Sequence, residues 1–232
     1  MKKIVFYAVV LVLVAGAGTW IIQANGLTSN EKQIYALGDS LTHGVGDTSG
    51  DGYAENLEEL FNEGREDTVN VRNLGIPGQQ TDGLLKQIQH SDVKNRLNEA
   101  DYFTLFIGTN DLIESNGGDL VKIYEDQIEA GKEEYEDNLK EILDIIREEN
   151  PDAPILFLGL YNPFPSSEQI EEEVVQWNDR SQRIVEDYSN VKFIPTNDLF
   201  PEKSTEYFSD ALHPNEKGYN LITEKIIEEY DF

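Results

Sequence analysis

The sequence predicts an α/β domain in which a mainly parallel, five-stranded sheet is covered on both faces by helices. Three observations carry this expectation. Five short runs rich in Ile, Val, Leu, Phe or Tyr are bounded by Gly, Asp, Pro or Asn, the pattern of buried strands. Segments with apolar residues at helical spacing lie between them. The two patterns alternate along the chain, which calls for crossover connections and so for parallel pairing. With 232 residues, the chain is long enough to bury one sizeable core.

Taken in order, residues 1–24 read as a leader. Lys2 and Lys3 precede an uncharged run from Ile4 to Ile22, a basic region followed by an apolar one. Ala15-Gly16-Ala17 offers a cleavage site, whereas the length of the run suits a membrane-spanning helix. A cleaved signal peptide and an uncleaved signal anchor both fit, with the apolar character continuing to Ile22 tilting towards the anchor. Under the positive-inside rule the two lysines put the remainder outside the cytoplasm. Residues 25–32 (NGLTSNEK) read as a polar linker, and residues 33–232 as the domain.

Within the domain the expected strands are Gln33–Leu37, Val69–Asn73, Tyr102–Ile107, Ile155–Leu158 and Val191–Ile194. Leu57, Leu60 and Phe61 mark a helix ending near Gly64, and Leu84, Leu85 and Ile88 mark the next. Tyr135, Leu139, Ile142, Leu143 and Ile146 form a strong stripe that Asn150-Pro151 stops. Ile170, Val174, Trp177, Ile184 and Tyr188 form another, and Leu221, Ile222, Ile226 and Tyr230 the last. These stripes read as core. The less regular stretch Asn116–Gly131, after the third strand, is expected to form a helical flap beside the site.

Composition narrows the chemistry. There are no cysteines, so disulfides and thiolate metal sites are excluded. The formal net charge is −27, which repels nucleic acid and anionic lipid surfaces. The acidic residues are spread over helices such as KEEYEDNLKEI, the pattern of a solvated surface.

In open parallel sheets, ligands bind outside the carboxyl ends of the strands. There this chain places Gly38-Asp39-Ser40, then NLGIPGQQT (Asn73–Thr81), then GTND (Gly108–Asp111); DALHPN (Asp210–Asn215) stands before the last helix. Acyl transfer needs a nucleophile, a base, an orienting group and donors for the developing oxyanion. Of the three histidines, His90 ends a polar helix, and His43 is near Ser40 but has no evident carboxylate partner. His213 has Asp210 three residues earlier, close enough to accept from Nδ1–H and leave Nε2 as proton acceptor for Ser40. Read alone, DALHPN is equally the polar start of a helix with Asn215 as its cap. Asn110 reads either as a turn residue bonding its own backbone or as an amide donor to the oxyanion. Gly78, a turn glycine after Pro77, would let substrate approach its backbone N–H, and the N–H of Ser40 would be a third donor. Asp39 and Asp111 read as ties for their loops, and Asn73 as support for the site.

GDSL at Gly38–Leu41, the Asn73/Gly78 segment, GTND and D-x-x-H-P together resemble the SGNH/GDSL hydrolase superfamily, from about Tyr35 to Tyr219. The four residues naming that group match Ser40, Gly78, Asn110 and His213, with Asp210 completing a Ser-His-Asp triad. The resemblance implies a flavodoxin-like three-layer α/β/α fold and metal-independent ester hydrolysis without a cofactor. Lipid or other acyl esters are the substrates it suggests, with O-acetylated cell-wall or capsular glycan as the alternative. Tyr161–Ser167 and the 116–131 stretch are expected to shape the pocket. Three rivals fit less well. A metal-dependent phosphoesterase would gather more histidines, an α/β-hydrolase would show G-x-S-x-G, and a non-catalytic envelope binding protein has no need of Ser40, Asp210 and His213.

Overall fold

The computed structural model describes residues 31–50, 52–63, 68–200 and 204–232. The expected leader, and the linker up to Asn30, lie outside the described residues. Among those described, no helix is long and apolar enough to cross a membrane.

The sheet consists of β1 (Lys32–Gly38), β2 (Val69–Asn73), β3 (Tyr102–Phe106), β4 (Ile155–Leu158) and β5 (Val191–Ile194). All neighbours are parallel, in the order β2-β1-β3-β4-β5, the flavodoxin-like arrangement. The connections are α1 (Ser40–His43), α2 (Gly52–Asn62), α3 (Thr81–Gln89), α4 (Ser91–Lys94), a 3₁₀ turn at Leu97–Glu99, α5 (Thr109–Ser115), α6 (Glu125–Glu149), α7 (Glu168–Glu186) and α8 (Glu216–Glu229).

Side chains alternate across each strand, so one sequence feeds two cores. Tyr35, Leu37, Phe103, Leu105 and Phe157 pack under Leu84, Leu139, Ile142 and Trp177 of α3, α6 and α7. Ile34, Ala36, Phe106 and Leu156 face Tyr53, Leu57, Tyr219 and Ile222 of α2 and α8. The expected stripes are these buried faces, although Leu60 is 43% exposed, and Tyr188 lies just past the end of α7.

Three boundaries differ from expectation. Lys32 belongs to β1 and not to the linker: its N–H donates to Thr68 (2.8 Å) and it pairs in register with Val69. Ile107 falls outside β3, where the chain already turns towards α5. Asn116–Gly131 is no helical flap. An irregular loop runs to Tyr124, and Glu125–Gly131 is the first part of the 25-residue α6. Gly131 is part of this packing, because a Cβ there would stand 2.2 Å from that of Ser115 on α5.

The strand order sets the site. The connection after β1 runs to β2 and the one after β3 runs the opposite way to β4, which opens a crevice between the carboxyl ends of β1 and β3. Gly38 is level with Phe106 across β1 and β3, so Ser40 and Asn110 emerge side by side.

Candidate active site

Ser40 is the first residue of α1 and is 6% exposed. Asp39 caps the helix, its Oδ1 accepting from the Leu41 N–H at 2.9 Å. This leaves the Ser40 N–H with no protein acceptor among the described residues. The hydroxyl lies 2.9 Å from Nε2 of His213, and Nδ1 of that ring lies 2.8 Å from Oδ2 of Asp210. Oδ1 of Asp210 accepts from the N–H groups of Leu212 and His213, both at 2.8 Å. Partial burial pushes the Asp210 carboxyl up, but those two N–H bonds and the imidazole outweigh it and bring it down to about 2. It therefore stays ionised beside the ring.

The loop carrying His213 is knitted to itself and to the sheet. Ser209 N–H donates to the His213 carbonyl at 3.0 Å, Phe208 and Pro214 form an isolated bridge, and the Tyr161 hydroxyl donates to Leu212 O at 2.6 Å. Asn215 caps α8, accepting from the Gly218 N–H at 3.2 Å. Both readings of DALHPN thus coexist: Asn215 starts the helix while Asp210 and His213 face Ser40. Gly46 lets this loop approach; its φ is +99°, and a Cβ would sit 2.4 Å from Pro214 O and 2.9 Å from His213 Cβ.

Asn110 lies in the first turn of α5, and its side-chain N–H₂ group has two acceptors. Nδ2 donates to Asp39 Oδ2 at 3.2 Å and to the Gln79 carbonyl at 3.0 Å. Asp39 is therefore more than a loop tie, since one carboxylate joins the start of α1 to Asn110. Burial pushes Asp39 up to about 7. Asp111 is also raised by burial, to about 6, against its bonds from Thr81, whose N–H donates at 3.0 Å.

Gly78 occupies the third position of a turn whose Gln79 N–H donates back to Ile76 O at 3.1 Å. Pro77 at the second position and a φ of +80° at Gly78 define type II. The Gly78 N–H has no protein acceptor among the described residues, and the space beside its Cα is open. Asn73 holds the neighbouring block: Nδ2 donates to Thr42 O and Glu55 Oε1, both at 2.8 Å, and Oδ1 accepts from Gly75 N–H at 3.0 Å.

Two histidines are not brought in. His43 ends α1 exposed, and His90 is the exposed hinge between α3 and α4. Among the described residues, no three His, Cys, Asp or Glu side chains gather as metal ligands would. The Gln79 carbonyl and the Tyr161 hydroxyl escape sequence reasoning. The first is a main-chain group that any residue supplies, and the second sits in a segment flagged only as a pocket wall.

The chain is 30% identical over 209 residues to the uncharacterized protein YpmR of Bacillus subtilis (strain 168), covering 87% of this chain and 82% of that one. It is 29% identical to the spore germination lipase LipC of Bacillus licheniformis, covering 84% and 94% respectively. Among solved structures, the lipase Lip_vut3 from a goat rumen metagenome superposes with a TM-score of 0.77 at 27% identity, over 85% of this chain and 97% of that one. The model of the GDSL-like lipase/acylhydrolase family matches residues 36–221, a span that holds every residue of the crevice named above. The chain belongs to the GDSL-like lipase/acylhydrolase family.

Proposed function

We propose that the chain is a serine esterase that hydrolyses carboxylic esters through Ser40, His213 and Asp210. One observation carries this reading: the continuous line from the Asp210 carboxylate through the His213 ring to the Ser40 hydroxyl, at 2.8 and 2.9 Å. The ionised Asp210 fixes Nδ1 as a donor and leaves Nε2 free to take a proton. His213 removes the Ser40 proton as Oγ attacks the ester carbonyl. The carbonyl π pair moves onto oxygen, and the oxyanion is met by the N–H groups of Ser40 and Gly78. Asn110 Nδ2 joins them by exchanging the Gln79 carbonyl for the oxyanion. Collapse breaks the bond to the alcohol oxygen, which takes the proton from Nε2. Water, deprotonated by the same nitrogen, then releases the acid and restores Ser40.

Family membership and the lipases among the similar proteins support an ester substrate. An extracytoplasmic location, secreted or anchored by the leader, is supported by Lys2, Lys3 and the uncharged run Ile4–Ile22.

The test is hydrolysis of p-nitrophenyl esters together with phosphonate labelling. The wild type turns the ester over and takes up one phosphonate at Ser40, and Ser40→Ala loses both. Wild-type turnover in Ser40→Ala overturns the mechanism. Absence of labelling and turnover in the wild type favours the non-catalytic binding protein instead.

A further inference from the structure

The peptide unit between Leu212 and His213 is gripped at both ends. Its N–H, that of His213, donates to Asp210 Oδ1 at 2.8 Å. Its carbonyl, that of Leu212, accepts from the Tyr161 hydroxyl at 2.6 Å. In a planar trans peptide these two groups point in opposite directions, so the unit is stretched between a carboxylate and a phenol. The other oxygen of Asp210 faces Nδ1 of the His213 ring at 2.8 Å. Partial burial pushes the Asp210 carboxyl up, and of the bonds that outweigh it the one from the His213 N–H is the largest. The tilt of a single peptide therefore bears on how firmly Asp210 is held.

Tyr161 is itself fixed from every side. It is 4% exposed, and its ring packs 5.0 Å from that of Phe200 and 5.9 Å from that of Phe208. Phe208 in turn bridges to Pro214 at the far end of the base loop. The backbone on either side of Tyr161 is pinned by side-chain amides. Asn178 on α7 accepts from the Leu160 N–H at 2.7 Å and donates to the Leu160 carbonyl at 2.8 Å. Asn197 accepts from the Asn162 N–H at 2.7 Å. Burial, with Tyr219, Asp39 and Asp210 nearby, pushes the Tyr161 hydroxyl well above its ordinary value, so it stays protonated and able to donate. Phenylalanine would fill this aromatic cluster as well. A buried hydroxyl needs a partner, and this one finds it in the carbonyl that precedes the base.

We propose that Tyr161 is a positioning residue for the general base: its hydroxyl fixes the Leu212–His213 peptide, which holds Asp210 and so sets the imidazole against Ser40. The assignment rests on the esterase reading above. Donation to the Leu212 carbonyl also polarises the peptide and strengthens the His213 N–H as a donor to Asp210. Without the hydroxyl the peptide is free to rock, and Asp210 keeps the Leu212 N–H but loses the aim of the other.

The experiment measures turnover of p-nitrophenyl butyrate and melting temperature for the wild type, Tyr161→Phe and Tyr135→Phe. Tyr161→Phe keeps the ring in its cluster and removes only the donor. Tyr135→Phe is the control, because its buried hydroxyl lies 2.7 Å from Ser181 Oγ between α6 and α7, away from the base loop. In Tyr161→Phe kcat should fall by about tenfold to a hundredfold, the scale of a base displaced by up to about 1 Å. KM should stay within about twofold, since the substrate contacts are untouched. Tyr135→Phe should lower the melting temperature by a similar amount and leave kcat unchanged. Added to Asp210→Asn, Tyr161→Phe should cost less than about twofold further, because the ring has already lost the carboxylate through which Tyr161 acts. Wild-type kcat in Tyr161→Phe, an equal loss in Tyr135→Phe, or the full loss repeated in the Asp210→Asn background overturns the assignment while leaving the esterase reading intact. No turnover by the wild type together with no phosphonate labelling of Ser40 overturns both.

Discussion

Asp39 has a separate task for each carboxylate oxygen: one caps α1 at the Leu41 N–H and the other holds Asn110. Asparagine is as good a helix cap as aspartate, so Asp39→Asn keeps the first task and spoils the second. With its oxygen turned to Leu41, the new Nδ2 faces another Nδ2, and Asn110 loses the acceptor that orients it. The expected outcome is a kcat lower by roughly 10²–10³, the usual cost of one oxyanion donor, with KM little changed. Asn110→Ala should lose about as much, and the double variant no more than the worse single, because both act through one donor. Additive losses in steady-state kinetics would separate the two residues. The raised carboxyls also set a pH trend. Asp39 and Asp111 move from 3.8 to about 7 and about 6. Between those values the folded chain binds more protons than the unfolded one, so their contribution to stability is fullest below pH 3.8 and falls as pH rises through about 7. Melting temperature followed across that window should decline less steeply in Asp39→Asn than in the wild type. Asp210 has the opposite sign: its contribution is present above 3.8 and is lost as pH falls through about 2.

The site depends on how the loop before α8 meets the loop after α1, and Gly46 is where they touch. In Gly46→Ala the added carbon collides with Pro214 O and His213 Cβ, and the positive φ strains it further. The base loop must retreat, and a shift of about 1 Å between base and nucleophile costs roughly 10²-fold. The variant should therefore show a kcat reduced by about that factor with its circular dichroism unchanged. An unaltered kcat would mean that the loop yields elsewhere. Among the elements themselves, the strands were legible because short β-branched and aromatic runs between turn residues have few other ways to pack. The long helices were legible from stripes such as Tyr135–Ile146. The start of α6 was not, since EDQIEAG offers Ile128 as its one buried hydrophobe and so carries little periodicity. Ser40, Gly78, Asn110, Asp210 and His213 could be named from strand ends and motifs. The bonds of Asn110 to Asp39 and to the Gln79 carbonyl could not. They depend on side-chain direction and on a main-chain oxygen, neither of which leaves a mark in the sequence.

At the scale of the whole molecule, 45 acidic residues face 18 basic ones, and the folded state confines their repulsion to a small volume. Salt shortens the reach of that repulsion to about 10 Å at 0.1 M. Melting temperature should therefore rise as sodium chloride is raised from a few millimolar to about 0.3 M, with most of the gain in the first step. A flat or falling curve would show that the acidic groups are already balanced by local pairs. The path of the chain has a temporal consequence as well. Ser40 and His213 are 173 residues apart, and the base waits on a loop closed by the last helix. On the mechanism proposed above, a chain still being synthesised carries Ser40 long before it carries His213. That mechanism then gives no turnover until the final segment has emerged and docked, so activity should appear only with the complete fold.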